Sequence, residues 1–158
     1  MQFSSDYFKF VPGLASADHG AGADSDSVNM GLLHRVIALV QLGNVSVADT
    51  VIKAFAGATA ATKTTALAVK YRFSNAAAKS ADADNFTAPA TAVAATGVPI
   101  ANATDDNKLL LIEVESSLMP DGKPWLTLEV GSGATVLQGA IVFIGEPRFA
   151  GRASPTAI

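Results

Sequence analysis

The sequence has no cysteine and only two histidines, His19 and His34. Without cysteine no disulfide can staple the chain and no thiolate can hold a metal, so stability must come from packing or assembly. The two histidines lack the close spacing of a metal-ligand pair. Charge is scarce as well: Asp, Glu, Lys and Arg make up 16% of residues, against about a quarter in an average globular protein. The net charge is −3 and the few Lys and Arg are scattered, which leaves no electrostatic footprint for nucleic acid. Long apolar runs are missing too. The longest, around Gly31–Gly43, is broken by His34, Arg35 and Gln41 and is too short to cross a bilayer. The opening residues MQFSSDYFKFVPG carry an early Asp and neither a basic lead-in nor a long apolar stretch, unlike a secretory signal. Together these absences predict a soluble chain made in the cytoplasm, without nucleic acid or membrane as a partner.

What is present is alanine, glycine, threonine and short apolar alternations. The 158 residues suffice for one domain with a real core. Residues 1–27 hold the aromatics Phe3, Tyr7, Phe8 and Phe10, then a Gly/Ala/Ser/Asp segment without periodicity, which reads as an extended N-terminal arm or loop. From Val28 the pattern changes. In LLHRVIALVQLG, Leu33, Arg35, Ile37, Leu39 and Gln41 share one side of an extended chain, and Val36, Ala38, Val40 and Leu42 share the other. The β-branched residues predict a buried strand.

Further strands are expected at Asp49–Ala56, Thr64–Phe73, Phe86–Val93, Val98–Ile100, Leu109–Glu115, Trp125–Val130 and Leu137–Gly145. In Thr64–Phe73 the period of two is clear, with Leu67, Val69, Tyr71 and Phe73 on one face. GATAATKT, before it, reads as a hairpin or a short loop. Pro89, Gly97 and Pro99 interrupt any long helix in the alanine-rich 75–106 region. Many short strands without helix–strand alternation predict an all-β fold, an antiparallel β-sandwich. The expected organisation is an arm over 1–27, a sandwich domain over 28–147 and a tail over 148–158.

Residues 107–130, NKLLLIEVESSLMPDGKPWLTLEV, place Glu113 and Glu115 two residues apart beside an Asp-Gly turn. Paired carboxylates serve as acid and base when burial or a like-charged neighbour splits their pKa values. Here Leu110, Ile112 and Val114 point one way, and Leu109, Leu111, Glu113 and Glu115 point the other. Read as a hairpin with Trp125–Val130, the two aliphatic rows share a core. The glutamates then lie on the wet side near Trp125 and Lys123. Leu109 and Leu111 break the polar alternation of that side, which suggests a face covered by a neighbouring segment or another subunit.

Other chemistries fail on spacing. GATAATKTT lacks the glycine that must precede the lysine of a phosphate loop. DADN at Asp82–Asn85 lacks the Gly turn and distal Glu of a calcium loop. No Gly-x-Ser-x-Gly elbow accompanies the serines. No catalytic, metal or cofactor-binding residue is assigned, and the chain reads as no enzyme.

The segments SDSVNMG (Ser25–Gly31), VIALVQLGNV (Val36–Val45), TALAVKYRFSNAAAKSADADNFTA (Thr65–Ala88), ATGVPI (Ala95–Ile100), DDNKLLLIEVESSLMPDGKPWLTLEV (Asp105–Val130) and IGEPRF (Ile144–Phe149) occur in an order and spacing that carry a resemblance. The chain resembles a family of small virion structural proteins of tailed bacteriophages, often called decoration, cement or head-associated proteins. The N-terminal aromatic arm falls outside the pattern. The resemblance implies a β-sandwich or jelly-roll subunit on the capsid exterior, bound to the major capsid protein. It also implies a homo-oligomer, with a trimer favoured, and no catalysis.

The expected interface residues are Phe3, Tyr7, Phe8, Phe10, Leu109, Leu111 and Trp125, because aromatics dominate interface energetics. The alternative for Phe3 to Phe10 is a terminal strand packed on the protein's own core. Competing functions are a tail, neck or fibre component, a carbohydrate-binding module, and a hydrolase using Glu113 and Glu115. One Trp and two Tyr are a thin supply for sugar stacking, and two carboxylates on one strand face cannot flank a glycosidic substrate.

Overall fold

The structure is a computed structural model and describes residues 8–46, 48–133 and 136–148. Among these lie the strands β1 (Lys9–Asp18), β2 (Ala23–Asp24), β3 (Val28–Asn29), β4 (Leu33–Ser46), β5 (Thr50–Gly57) and β6 (Thr65–Leu67). They are followed by β7 (Lys70–Phe73), β8 (Ala90–Thr91), β9 (Val98–Ile100), β10 (Leu109–Glu115), β11 (Trp125–Val130) and β12 (Val136–Pro147). Two short 3-10 turns, Met30–Leu32 and Ser116–Leu118, are the helical elements of the described residues. No helix there is long and apolar enough to cross a membrane.

The strands form two antiparallel sheets, as expected of an all-β sandwich. The first runs β1-β12-β4-β10-β7-β8 and the second β2-β11-β5-β6, with β3 also pairing β11 and β9 also pairing β5. The core lies between them and is built by strict alternation. From the first sheet come Val36, Ala38 and Val40 of β4, Leu110, Ile112 and Val114 of β10, and Ile141 and Phe143 of β12. The second sheet supplies Ile52, Ala54 and Ala56 of β5 with Leu126, Leu128 and Val130 of β11. The aliphatic rows of β10 and β11 do share one core.

They do so from opposite sheets, which corrects the expected hairpin. Both edges of β10 are taken, by β4 and β7, while β11 pairs with β5, β2 and β3. Residues 116–124 therefore carry the chain across the sandwich instead of turning it back. Thr64–Phe73 is split in the same way. Thr65–Leu67 pairs with β5 in one sheet, and Lys70–Phe73 pairs with β10 in the other. Leu67 and Val69 stay buried through the crossing, so the face read from the sequence survives although the single strand does not.

The expected arm over 1–27 is also revised for its described part. Lys9–Asp18 is an edge strand on β12, and Ala23–Asp24 and Val28–Asn29 extend the second sheet along β11. Register shifts follow Pro12 and Leu14. Such irregularities, with a proline that cannot donate to a ladder, hide a strand from a periodicity reading and blunt it as an edge. Phe3, Tyr7 and the tail 149–158 lie outside the described residues.

The β5–β6 connection is a hairpin whose loop folds back over the outer face of the second sheet. A Cβ at Gly57 would sit 2.0 Å from the Thr62 carbonyl oxygen. That contact is with backbone and cannot swing aside. We expect Gly57→Ala to destabilise the protein by about 3 kcal/mol, read as a lower denaturant midpoint at unchanged slope. The solvent-facing loop mutation Thr59→Ala is its control and should shift the midpoint far less.

Candidate functional site

The outward face of the first sheet is built from the residues that core alternation leaves over. Two rows cross five strands. One runs Phe10, Ile144, Ile37, Glu113 and Lys70, and the other Pro12, Val142, Leu39, Leu111 and Arg72, each residue directly opposite the next. At about 4.8 Å per strand, the rows span about 19 Å. Their β1, β12 and β4 members are all apolar. Phe10 is 43% exposed, and Phe8, just before β1, is 42% exposed. Ile37, Leu39, Leu111, Val142 and Ile144 are half-buried. An apolar band of this extent across one sheet face is what a wet antiparallel face should lack.

Charge gathers at its margin. Arg35 donates to Glu113 at 3.0 Å and contacts Glu146 at 3.2 Å. The hydrogen bond to Glu113, with the nearby carboxylates, raises the Arg35 guanidinium above its ordinary value. Glu115 is exposed and accepts from the Ser117 hydroxyl at 3.3 Å. The glutamate pair thus takes the outward face expected of it. Glu113 pairs with Arg35, however, and not with Lys123 as the hairpin reading implied; Lys123 donates to Thr65 instead. Beside this cluster lies an open groove with Ile37 and Leu111 on its floor, lined also by Tyr71, Pro89, Lys70, Arg72 and Glu113.

The sequence-derived interface residues do not all meet. Phe10 lies on the side of the first sheet that also carries Leu109 and Leu111, and Phe8 precedes β1 and is exposed. Trp125 lies in the second sheet, in register with Asn29 and Gly57. The sequence reading missed Ile37, Leu39, Val142 and Ile144. The signal for Ile37 and Leu39 lies in β4, whose apolar residues occupy both faces, a pattern that reads equally as a buried strand.

The second sheet's outer face is occupied by its own chain. Thr127 is fully buried there and shares a 2.8 Å hydroxyl hydrogen bond with Ser27, whose Oγ also accepts from the Ala61 amide at 2.8 Å. Lys63 donates to Asp24 at 2.7 Å and to Glu129, with its Nζ 5.8 Å from the centre of the Phe55 ring. Hydrogen bonding to Asp24, then to Glu129, raises the Lys63 value above that of an ordinary lysine. A raised folded value means a stability contribution that is complete below the ordinary lysine value and lost as pH rises through the folded one. Lys63→Gln should therefore cost up to about 1 kcal/mol near neutral pH. In denaturation curves across the alkaline range the gap to the unsubstituted protein should close; a gap independent of pH would contradict this.

The DADN segment forms a closed polar turn, in which Asp82 accepts from the amides of Asn75 and Asn85. His34 is exposed, and the His19 ring lies 2.9 Å from the Ala15 carbonyl oxygen. No group of acidic and histidine side chains suited to holding a metal occurs among the described residues. No family model, curated protein or solved structure matches the chain.

Proposed function

We propose that the chain is a structural protein of a tailed-bacteriophage virion, a decoration or cement protein that binds the exterior of the mature capsid and stabilises it. The observation that supports this most is the apolar outer face of the first sheet, Phe10 and Pro12 through Leu39 to Leu111. A face of that kind is completed by docking onto another protein. The order of motifs in the sequence supports the phage setting. On this reading the fold is jelly-roll-like and the major capsid protein is the partner. The subunit forms homo-oligomers, with a trimer favoured, and does no chemistry.

The mechanism is linkage. A protein that binds only the expanded shell lowers the free energy of that state by the binding energy of every occupied site, and many symmetric sites multiply the effect. The test is cosedimentation of the purified protein with shells of its phage before and after expansion. Saturable binding to expanded shells alone is the expected result. Binding to tail or neck assemblies in place of shells would move the protein to a tail, neck or fibre position.

A further inference from the structure

The charged residues along the groove beside the apolar band are Lys70, Arg72 and Glu113. Lys70 and Arg72 project from β7 along it, and neither has an ion-pair partner among the described residues. The carboxylate opposite Lys70 in register is Glu113, and it is held by Arg35 at 3.0 Å. The floor is apolar, with Ile37 and Leu111 half-buried. Glu115 also lies near Lys70, but two cations outside any ion pair, above an apolar floor and beside a carboxylate already engaged by Arg35, are complementary to a segment that is apolar on one side and carries carboxylates on the other.

We infer that this groove seats an acidic, apolar segment of the docking partner, with its carboxylates on Lys70 and Arg72. The inference rests on the docking reading above and adds to it the chemistry of the partner and the point of contact. Electrostatic complementarity of this kind sets register and encounter rate as well as affinity.

The probes are three capped seven-residue peptides in which valine alternates with glutamate, lysine or glutamine, titrated into the full chain and followed by fluorescence anisotropy. The glutamate peptide should bind about tenfold tighter than the other two, with affinity falling as salt is added. The double variant Lys70→Glu/Arg72→Glu should lose that preference. Lys53→Glu, on the outer face of the second sheet, should keep it, and thermal melts check that all variants fold. Equal binding of the three peptides, or an unchanged preference in the double variant, overturns the inference.

The same variants in shell cosedimentation separate the two ideas. Shell binding that survives in Lys70→Glu/Arg72→Glu sinks the inference and leaves the capsid reading intact. A glutamate preference in a protein that binds no shell does the reverse. Self-association of the free chain that vanishes in the double variant would assign the groove to a second copy and overturn the inference.

Discussion

Phe143→Ala is expected to remove about 3–5 kcal/mol of stability, the range for deleting a fully buried aromatic ring. Against a total of about 5–15 kcal/mol for a domain, that loss leaves little. The ring has no exposure and lies on β12 between Val11 of β1 and Ala38 of β4. A Cβ at Gly13 would come within 2.5 Å of it, so Gly13 is the residue over which the ring is packed. The two positions should be coupled with a telling sign. Gly13→Ala alone should cost about 1–3 kcal/mol by overpacking, whereas in a Phe143→Ala background the added methyl enters vacated space. The double variant should then be more stable than the sum of the single losses by about 1 kcal/mol. Equilibrium denaturation of the four proteins checks this, and strict additivity would mean that the ring and the β1 backbone do not press on each other. If Phe143→Ala does not fold, Phe143→Leu in the same cycle gives the same sign with a smaller loss.

The second large effect concerns binding. Leu39→Asp combined with Leu111→Asp places two carboxylates in the middle of the apolar band, on residues that face each other across β4 and β10. Central, well-packed contacts carry most of an interface's energy, at about 2 kcal/mol or more each, so shell affinity should fall by at least about a hundredfold. Both side chains are half-buried and not core, so the variant should still melt cooperatively. Trp125→Ala, on the opposite sheet, should leave shell binding unchanged. If Trp125→Ala abolishes binding and the double aspartate variant does not, the docking face belongs to the second sheet.

Legibility followed how locally each element is determined. Leu109–Glu115, Trp125–Val130 and Val98–Ile100 are strands with the expected bounds, because alternation and turn residues mark both ends within the segment itself. The strand Phe86–Val93 shrinks to Ala90–Thr91 with a single bridge from Phe86 to Ser74, since nothing local says how long an edge finds a partner. Lys9–Asp18 was unreadable for a different reason. Its proline and irregular register erase the period of two, and what makes it a strand is β12, far along the chain. The apolar outer face was half legible: Leu109 and Leu111 stood out as apolar residues where polar ones belonged. Ile37 and Ile144 did not, because a strand apolar on both sides looks the same whether its second face meets a core or a partner. Lys70 and Arg72 alternate with Tyr71 and Phe73, which puts them on the opposite face. That they would end two apolar rows is a matter of register between strands, which no single segment encodes.

Strand β12 lies between β1 and β4, and this has a consequence for synthesis on the ribosome. Both neighbours emerge long before it does. Until it arrives, β4 lacks one of its two ladders, and β1 lacks its only sheet partner among the described residues. A growing chain therefore presents open strand edges to other growing chains on the same message, at high local concentration. Pairing across so long a separation is also slow. Pro12 and the register shifts of β1 make one of those edges a poor template. The irregularity that obscures β1 in the sequence thus protects the half-made protein while it waits for the strand that closes its sheet.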